Sequence, residues 1–288
     1  MQTSDANKNN SSWDNEITPV KTWLKINFKE IFTFRGLIFL FVKRDFVVFY
    51  KQTILGPLWY IIQPVFSTLV FSFVFGTIAK IPTDGMPPFL FYLSGTIVWG
   101  YFANSFGQTG QVFVTNKEIF GKVYFPRITV PISIVATSLI QFFIQFLIFV
   151  SLFTYYKFQG VAIYVTFKAL FLPVILFQIA LLSLGIGMVV SALTAKYRDL
   201  VQALSFLVQI WMYLTPVVYP LSEVPDNFRF LVSLNPMTAP VESFREIFLG
   251  VSTITSFEIF ISWIITIIFF FLGIILFTRV EKTFMDTV

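Results

Sequence analysis

Of the 288 residues, 56% are hydrophobic and only 12% are charged. An ordinary soluble domain carries about 25% charged residues, so a water-facing surface of normal size is excluded. The chain contains no cysteine and no histidine, which rules out disulfides, thiolate-held clusters, imidazole bases and histidine-ligated metals. The formal net charge of +5 is explained below by membrane orientation, and a nucleic-acid partner is not needed to account for it.

Residues 1–20 are polar and rich in Asn and Ser, which predicts a flexible N-terminal extension. From there Trp23, Leu24, Ile26, Phe28, Ile31, Phe32 and Phe34 fall on one helical face, with Lys21, Lys25, Lys29, Glu30 and Arg35 between them. This pattern predicts an amphipathic interface helix and following loop over residues 21–57, lying in the headgroup plane. Lys43-Arg44-Asp45 interrupts its apolar face. Three consecutive charges at mid-bilayer cost on the order of several kcal/mol, so this segment is not read as a further span. No small-residue cleavage site precedes the first long apolar run, and a cleaved signal peptide is not expected.

Residues 58–288 hold six apolar runs, each long enough to cross a bilayer as helix: Leu58–Ala79, Phe89–Gln108, Ile128–Tyr155, Ala169–Leu193, Leu200–Tyr219 and Phe257–Thr278. About 20 apolar residues suffice for a crossing. The expected fold class is therefore an all-α integral membrane protein of six transmembrane helices, with a short cytoplasmic C-terminus. Gln63-Pro64 is expected to kink the first span. Lys and Arg number eight before the first span, three in Lys117–Arg127, two in Lys196–Arg198 and two after the last span. The other side holds five: Lys80, Lys157, Lys168, Arg229 and Arg245. That bias places both termini in the cytoplasm of a multi-pass inner-membrane protein. On the outer side, Pro220–Ser256 contains two short amphipathic pieces, Asp226–Leu234 and Ala239–Leu249. They are too short to span and too apolar to be solvated, so re-entrant or interfacial helices are expected between spans five and six.

Signatures of catalysis are missing. The only Gly-Lys, Gly121-Lys122, is followed by Val123 and is no phosphate-binding loop. The spans carry no ionisable residue except near their ends, which argues against a self-energised pump. Aromatics are abundant instead: 39 Phe, 11 Tyr and 6 Trp. Some form interfacial belts, yet Tyr60, Phe66, Trp99, Tyr101, Trp211, Tyr213 and Tyr219 are candidates to line a conduit. Aromatic faces stack on sugar rings without deep binding traps, although any one of them is more often lipid-facing filler. Two cytoplasmic connections, Asn116–Arg127 and Ala195–Asp199, are loops obeying the positive-inside rule that together present a docking face. Their candidates for coupling to a soluble partner are Lys117, Glu118, Phe120, Tyr197, Arg198 and Asp199.

Arg44-Asp45, then Tyr50-Lys51-Gln52-Thr53-x-Leu55-Gly56-Pro57-x-Trp59, then Gln63-Pro64, resembles the opening signature of ABC-2 type permeases. The similarity is greatest to the polysaccharide-export branch, which handles lipopolysaccharide O-antigen, capsule and wall teichoic acid. Phe125-Pro126-Arg127, Asn235-Pro236-Met237-Thr238 and Glu242-x-x-Arg245 follow in the order that family shows. The resemblance implies a homodimer with two copies of an ABC ATP-binding subunit on its cytoplasmic face. A glycan on undecaprenyl diphosphate would thread through a channel at the dimer interface, with membrane lipids around it. No cofactor is implied for this chain, ATP and Mg being used by the partner subunit. It further implies a lipid-headgroup access region at Arg44, Lys51, Gly56 and Trp59, and an outer gate including Phe228, Asn235, Pro236, Glu242 and Arg245. For Arg44, pairing with Asp45 or with the ATPase is an equal alternative to a diphosphate contact. A permease for a small lipid or drug, and a membrane-embedded glycan-lipid enzyme, are the competing readings. The enzyme would need an essential acid such as Asp226, Glu242 or Glu246.

Overall fold

The computed structural model describes residues 32–52, 54–123 and 125–284. The expected N-terminal extension and the first turns of the interface helix lie outside them. Among the described residues the fold is all-helical. Helix α1 runs Arg35–Gln52, α2 Trp59–Phe71, α3 Pro88–Thr109, α4 Lys117–Lys122, α5 Thr129–Phe158 and α6 Leu172–Thr194. Helices α7 Leu200–Leu214, α8 Asp226–Leu234, α9 Thr238–Leu249 and α10 Ser256–Phe284 follow, and a single helical turn, Val112–Thr115, links α3 to α4.

Among the described residues, four segments are long and apolar enough to cross a membrane: Gly56–Ile78, Thr129–Phe158, Phe167–Thr194 and Ser256–Lys282. The other two expected spans are drawn differently. Helix α3 has 22 residues, enough for about 33 Å, but interleaves Ser94, Thr96, Asn104, Ser105 and Thr109 with its apolar residues. Helix α7 has 15 residues and stops at Leu214, short of the expected Tyr219. The cause is Pro216. The residue before a proline is driven out of the helical region, and Thr215 is extended at φ −98°, ψ 143°. Pro64, by contrast, is carried inside α2, and the same span loosens into a π-helical turn over Ser72–Ile78.

Helix α3 is the hub, packing on α2, α5, α6, α7 and α9. Leu90, Phe91, Tyr92 and Leu93 are fully buried. This explains its buried polar residues Ser94, Ser105 and Thr109, since a helix covered by protein over most of its circumference meets little lipid. Thr96 bonds the Tyr92 carbonyl at 2.7 Å, and Asn104 donates to Gln141 of α5 at 3.2 Å. Helices α6 and α10 approach most closely, at Gly185 and Gly273. A Cβ on Gly185 would lie 2.6 Å from the Phe270 nitrogen, and one on Gly273 would strike the Gly185 carbonyl. Between apolar helices in lipid, such small residues permit the backbone approach that drives association.

Candidate functional site: the broken helix and the charged loops

The segment between α7 and α10 is organised by one arginine. Where α7 breaks, the carbonyls of Pro216, Val217 and Tyr219 lose their helical partners, and buried backbone carbonyls must find other donors. Arg245 supplies the donors from α9. Its Nη1 donates to the Pro216 carbonyl at 2.6 Å, to Tyr219 at 3.5 Å and to Glu242 Oε1 at 2.9 Å. Its Nη2 donates to the Val217 carbonyl at 2.7 Å, and its Nε to Ser94 Oγ at 3.4 Å. The guanidinium also lies 3.8 Å from the centre of the Phe91 ring. At 1% exposure this is a fully buried cation using the planar five-donor fork that lysine lacks. Gly95 of α3 makes the room, for a Cβ there would sit 2.8 Å from Arg245 Nη2 and 2.9 Å from the Val217 carbonyl.

Glu242 is the counter-charge, one helical turn from Arg245, and its other oxygen accepts from Ser252 at 3.1 Å. Burial pushes the Glu242 carboxyl above its ordinary range, and the adjacent Arg245 guanidinium pulls against that shift. Asn235 and Pro236 form a second junction. Asn235 Oδ1 accepts from Trp211 Nε1 at 2.9 Å and from the Met237 amide at 3.1 Å. Its Nδ2 donates to Thr215 Oγ1 at 2.8 Å. The Pro236 carbonyl accepts from Ser262 of α10 at 2.7 Å, and Ser262 in turn accepts from Gln178 of α6. Of the five gate candidates named from sequence, Phe228 alone is exposed.

Sequence reasoning missed Glu258. It accepts from Ser233 at 2.5 Å and pairs with Arg229 at 3.5 Å. It also accepts from the Thr255 amide at 2.6 Å, while its own amide donates to Thr255 Oγ1 at 3.3 Å. Thr255-x-x-Glu258 ahead of an apolar run is a capping box, and that signal was legible.

The aromatic candidates separate into two environments. Trp99 and Tyr101 are buried within the protomer. Trp99 packs on Phe102 at 5.3 Å and Tyr101 on Phe142 at 5.8 Å. Trp211 joins the same cluster, 5.0 Å from Phe102. Tyr60 is buried and hydrogen-bonded to Gln141. Phe66 on α2 and Tyr213 on α7 are exposed, and Tyr219 is half-buried.

On the opposite face, α4 is held by its buried Phe120 and presents its charges. Phe120 packs on Phe113 at 5.8 Å and Phe125 at 5.9 Å, with Arg127 5.5 Å from its ring. Arg127 also ties this loop to the end of α10, donating from Nη1 to the Glu281 carbonyl at 2.7 Å. Lys117, Glu118, Tyr197, Arg198 and Asp199 are exposed. The ends of α6 and α3 on this face are bonded together, as Thr194 Oγ1 donates to the Gly110 carbonyl at 2.7 Å. Along α1, Arg44 pairs with Asp45 at 2.8 Å, and Lys51 is exposed. Gly56 has φ 51°, a left-handed turn that favours glycine. Trp59 is 45% exposed.

Long apolar helices define a multi-pass membrane protein, here with a broken helix stabilised by a buried ion pair and a charged face on exposed loops. The chain belongs to the ABC-2 type transporter family, which it matches over residues 36–249. It is 28% identical over 224 residues to the O-antigen export system permease protein RfbA of Myxococcus xanthus, covering 76% of this chain and 83% of that protein. To a Klebsiella pneumoniae O-antigen export system permease protein RfbA it is 24% identical, over 87% of this chain and 94% of the relative. The polysialic acid transport protein KpsM of Escherichia coli is 25% identical over 67% of this chain and 73% of its own length.

Proposed function

We propose that this chain is the membrane subunit of an ATP-driven exporter of a lipid-linked polysaccharide of O-antigen type, located in the cytoplasmic membrane. The observation that carries the reading is the similarity, over most of both chains, to O-antigen export permeases. In this reading α3 and α7 complete six spans, the second buried within the subunit and the fifth broken at Pro216, and both termini are cytoplasmic. Two copies assemble with two separate ATP-binding subunits that use ATP and Mg. The charges of Lys117, Glu118, Arg198 and Asp199, with Tyr197, meet those subunits, while Phe120 anchors α4 from beneath. Arg44, Lys51, Gly56 and Trp59 form the region where a diphosphate headgroup enters, cations suiting an anion at that depth.

The glycan then passes along a channel between the two copies, lined from this chain by exposed aromatics such as Phe66 and Tyr213. The outer end is bounded by α8 and α9 with Phe228, held in place through Asn235, Pro236, Glu242 and Arg245. The similarity to a polysialic acid transport protein favours capsule as the second reading of the cargo. Depleting the protein and locating long lipid-linked glycan tests the proposal. Glycan retained inside and lost from the surface is the expected result. Unchanged surface glycan with another lipid retained would reassign the cargo.

A further inference from the structure

Between α1 and α4 lies an apolar groove of about 530 Å³, lined by Phe34, Gly36, Leu37, Leu40, Phe41, Ile119, Val123 and Phe125. Its size falls within the range of about 300–1,000 Å³ typical of ligand sites. None of its lining side chains is polar, yet Leu40 and Val123 remain exposed. The rim is basic. Lys43 and Arg44 follow Leu40 by one helical turn, on the same side of α1, and the Arg44 guanidinium lies 4.8 Å from the ring of the lining Phe41. Arg35 adjoins Gly36, and Lys122 follows Ile119 by one turn of α4. The carboxylates facing this region are Asp45, paired with Arg44, and Glu118, so cations outnumber acids four to two.

We infer that this groove seats an acyl chain of an anionic phospholipid, whose headgroup phosphate meets Lys43 and Arg44. An apolar slot with a basic lip matches a lipid of that charge and fits neither a soluble anion nor a neutral lipid as well. The occupant bridges the interface helix and the loop carrying Lys117 and Glu118, so a lipid bound there braces α4 against α1. This inference concerns a stationary lipid whose phosphate shares Arg44 with the headgroup-access region proposed above; its failure leaves the export proposal standing.

Gly36 supplies the test, because a Cβ there meets nothing within 4 Å and a large side chain can fill the slot. Purified full-length protein is stripped of lipid in detergent and titrated with dioleoylphosphatidylglycerol, dioleoylphosphatidylcholine or undecaprenyl phosphate. Bound lipid is counted by native mass spectrometry. The natural chain is expected to hold one phosphatidylglycerol about thirtyfold more tightly than phosphatidylcholine, since the net anionic charge of the former favours each of the two basic residues by roughly one kcal/mol. Gly36→Trp loses that molecule, and Lys43→Gln with Arg44→Gln erases the headgroup preference while retaining the chain. The charge variants decide the matter even if Gly36→Trp folds poorly. Equal affinity for the two phospholipids, or no effect of either change, would overturn the inference. So would undecaprenyl phosphate displacing phosphatidylglycerol, since the groove would then belong to the glycan carrier.

Discussion

Replacing Arg245 by Met keeps the bulk of the side chain and removes every donor it offers. Three things are then stranded. The Glu242 carboxylate keeps only Ser252 as partner, and the Pro216 and Val217 carbonyls lose donors that stood at 2.6 and 2.7 Å. Breaking a buried pair by deleting one partner costs about 3–5 kcal/mol, and each orphaned acceptor about 1–3 kcal/mol. These groups share one cation, so the terms do not simply add; a loss of roughly 5 kcal/mol is the working figure. At about 2 °C per kcal/mol for a chain of this size, the protein purified in detergent should melt about 10 °C lower. The double change Glu242→Gln with Arg245→Met should recover about half of that loss, because no charge is left buried without a partner. Tm values from tryptophan fluorescence decide the question. An Arg245→Met variant melting within about 2 °C of the natural chain, or a double variant worse than the single, would refute the assignment of Arg245 as the cation that satisfies the broken helix.

Gly185→Val should prevent the close approach of α6 to α10 and cut the yield of monodisperse protein several-fold; size-exclusion chromatography reads this, and a normal elution profile would contradict it. Charge reversal at Lys117 or Arg198 should weaken docking of the ATP-binding subunit while leaving this chain's own melting unchanged, which co-purification yield and Tm together measure. Gly56→Val forces a branched residue into a left-handed turn, with a strain of about 1–3 kcal/mol. It and Trp59→Ala should reduce surface glycan at normal expression, and full surface glycan in both would make that turn purely structural.

What the sequence made legible was what composition and periodicity encode. The long runs that became α2, α5, α6 and α10 announce themselves because each meets lipid on part of its circumference. Helix α8 keeps the expected bounds of Asp226–Leu234, since Pro225 opens it and its apolar residues repeat at helical spacing. Helix α3 was legible as a helix but not as the hub, because burial by protein and burial by lipid select similar residues. The end of α7 was overrun because Thr215-Pro216 was read as part of a continuous apolar run, although a proline there forbids continuation. Glu242 and Arg245 were visible as a motif, but their tertiary partners Phe91, Ser94 and Val217 lie far away in the chain. No spacing rule reaches across that distance. The same limit applies to Trp99 and Tyr101, for nothing in the sequence around them showed that they face the protomer core.

The central claim is ATP-driven passage of a lipid-linked glycan through this chain. Its most direct test is reconstitution into liposomes together with the ATP-binding subunit that co-purifies with it, using lipid-linked glycan extracted from the depleted cells. Protection of the glycan from an externally added glycosidase should appear only with ATP and Mg, and only when this chain is present. Glycan that stays equally accessible with and without ATP, in vesicles whose ATPase activity is intact, would contradict the account.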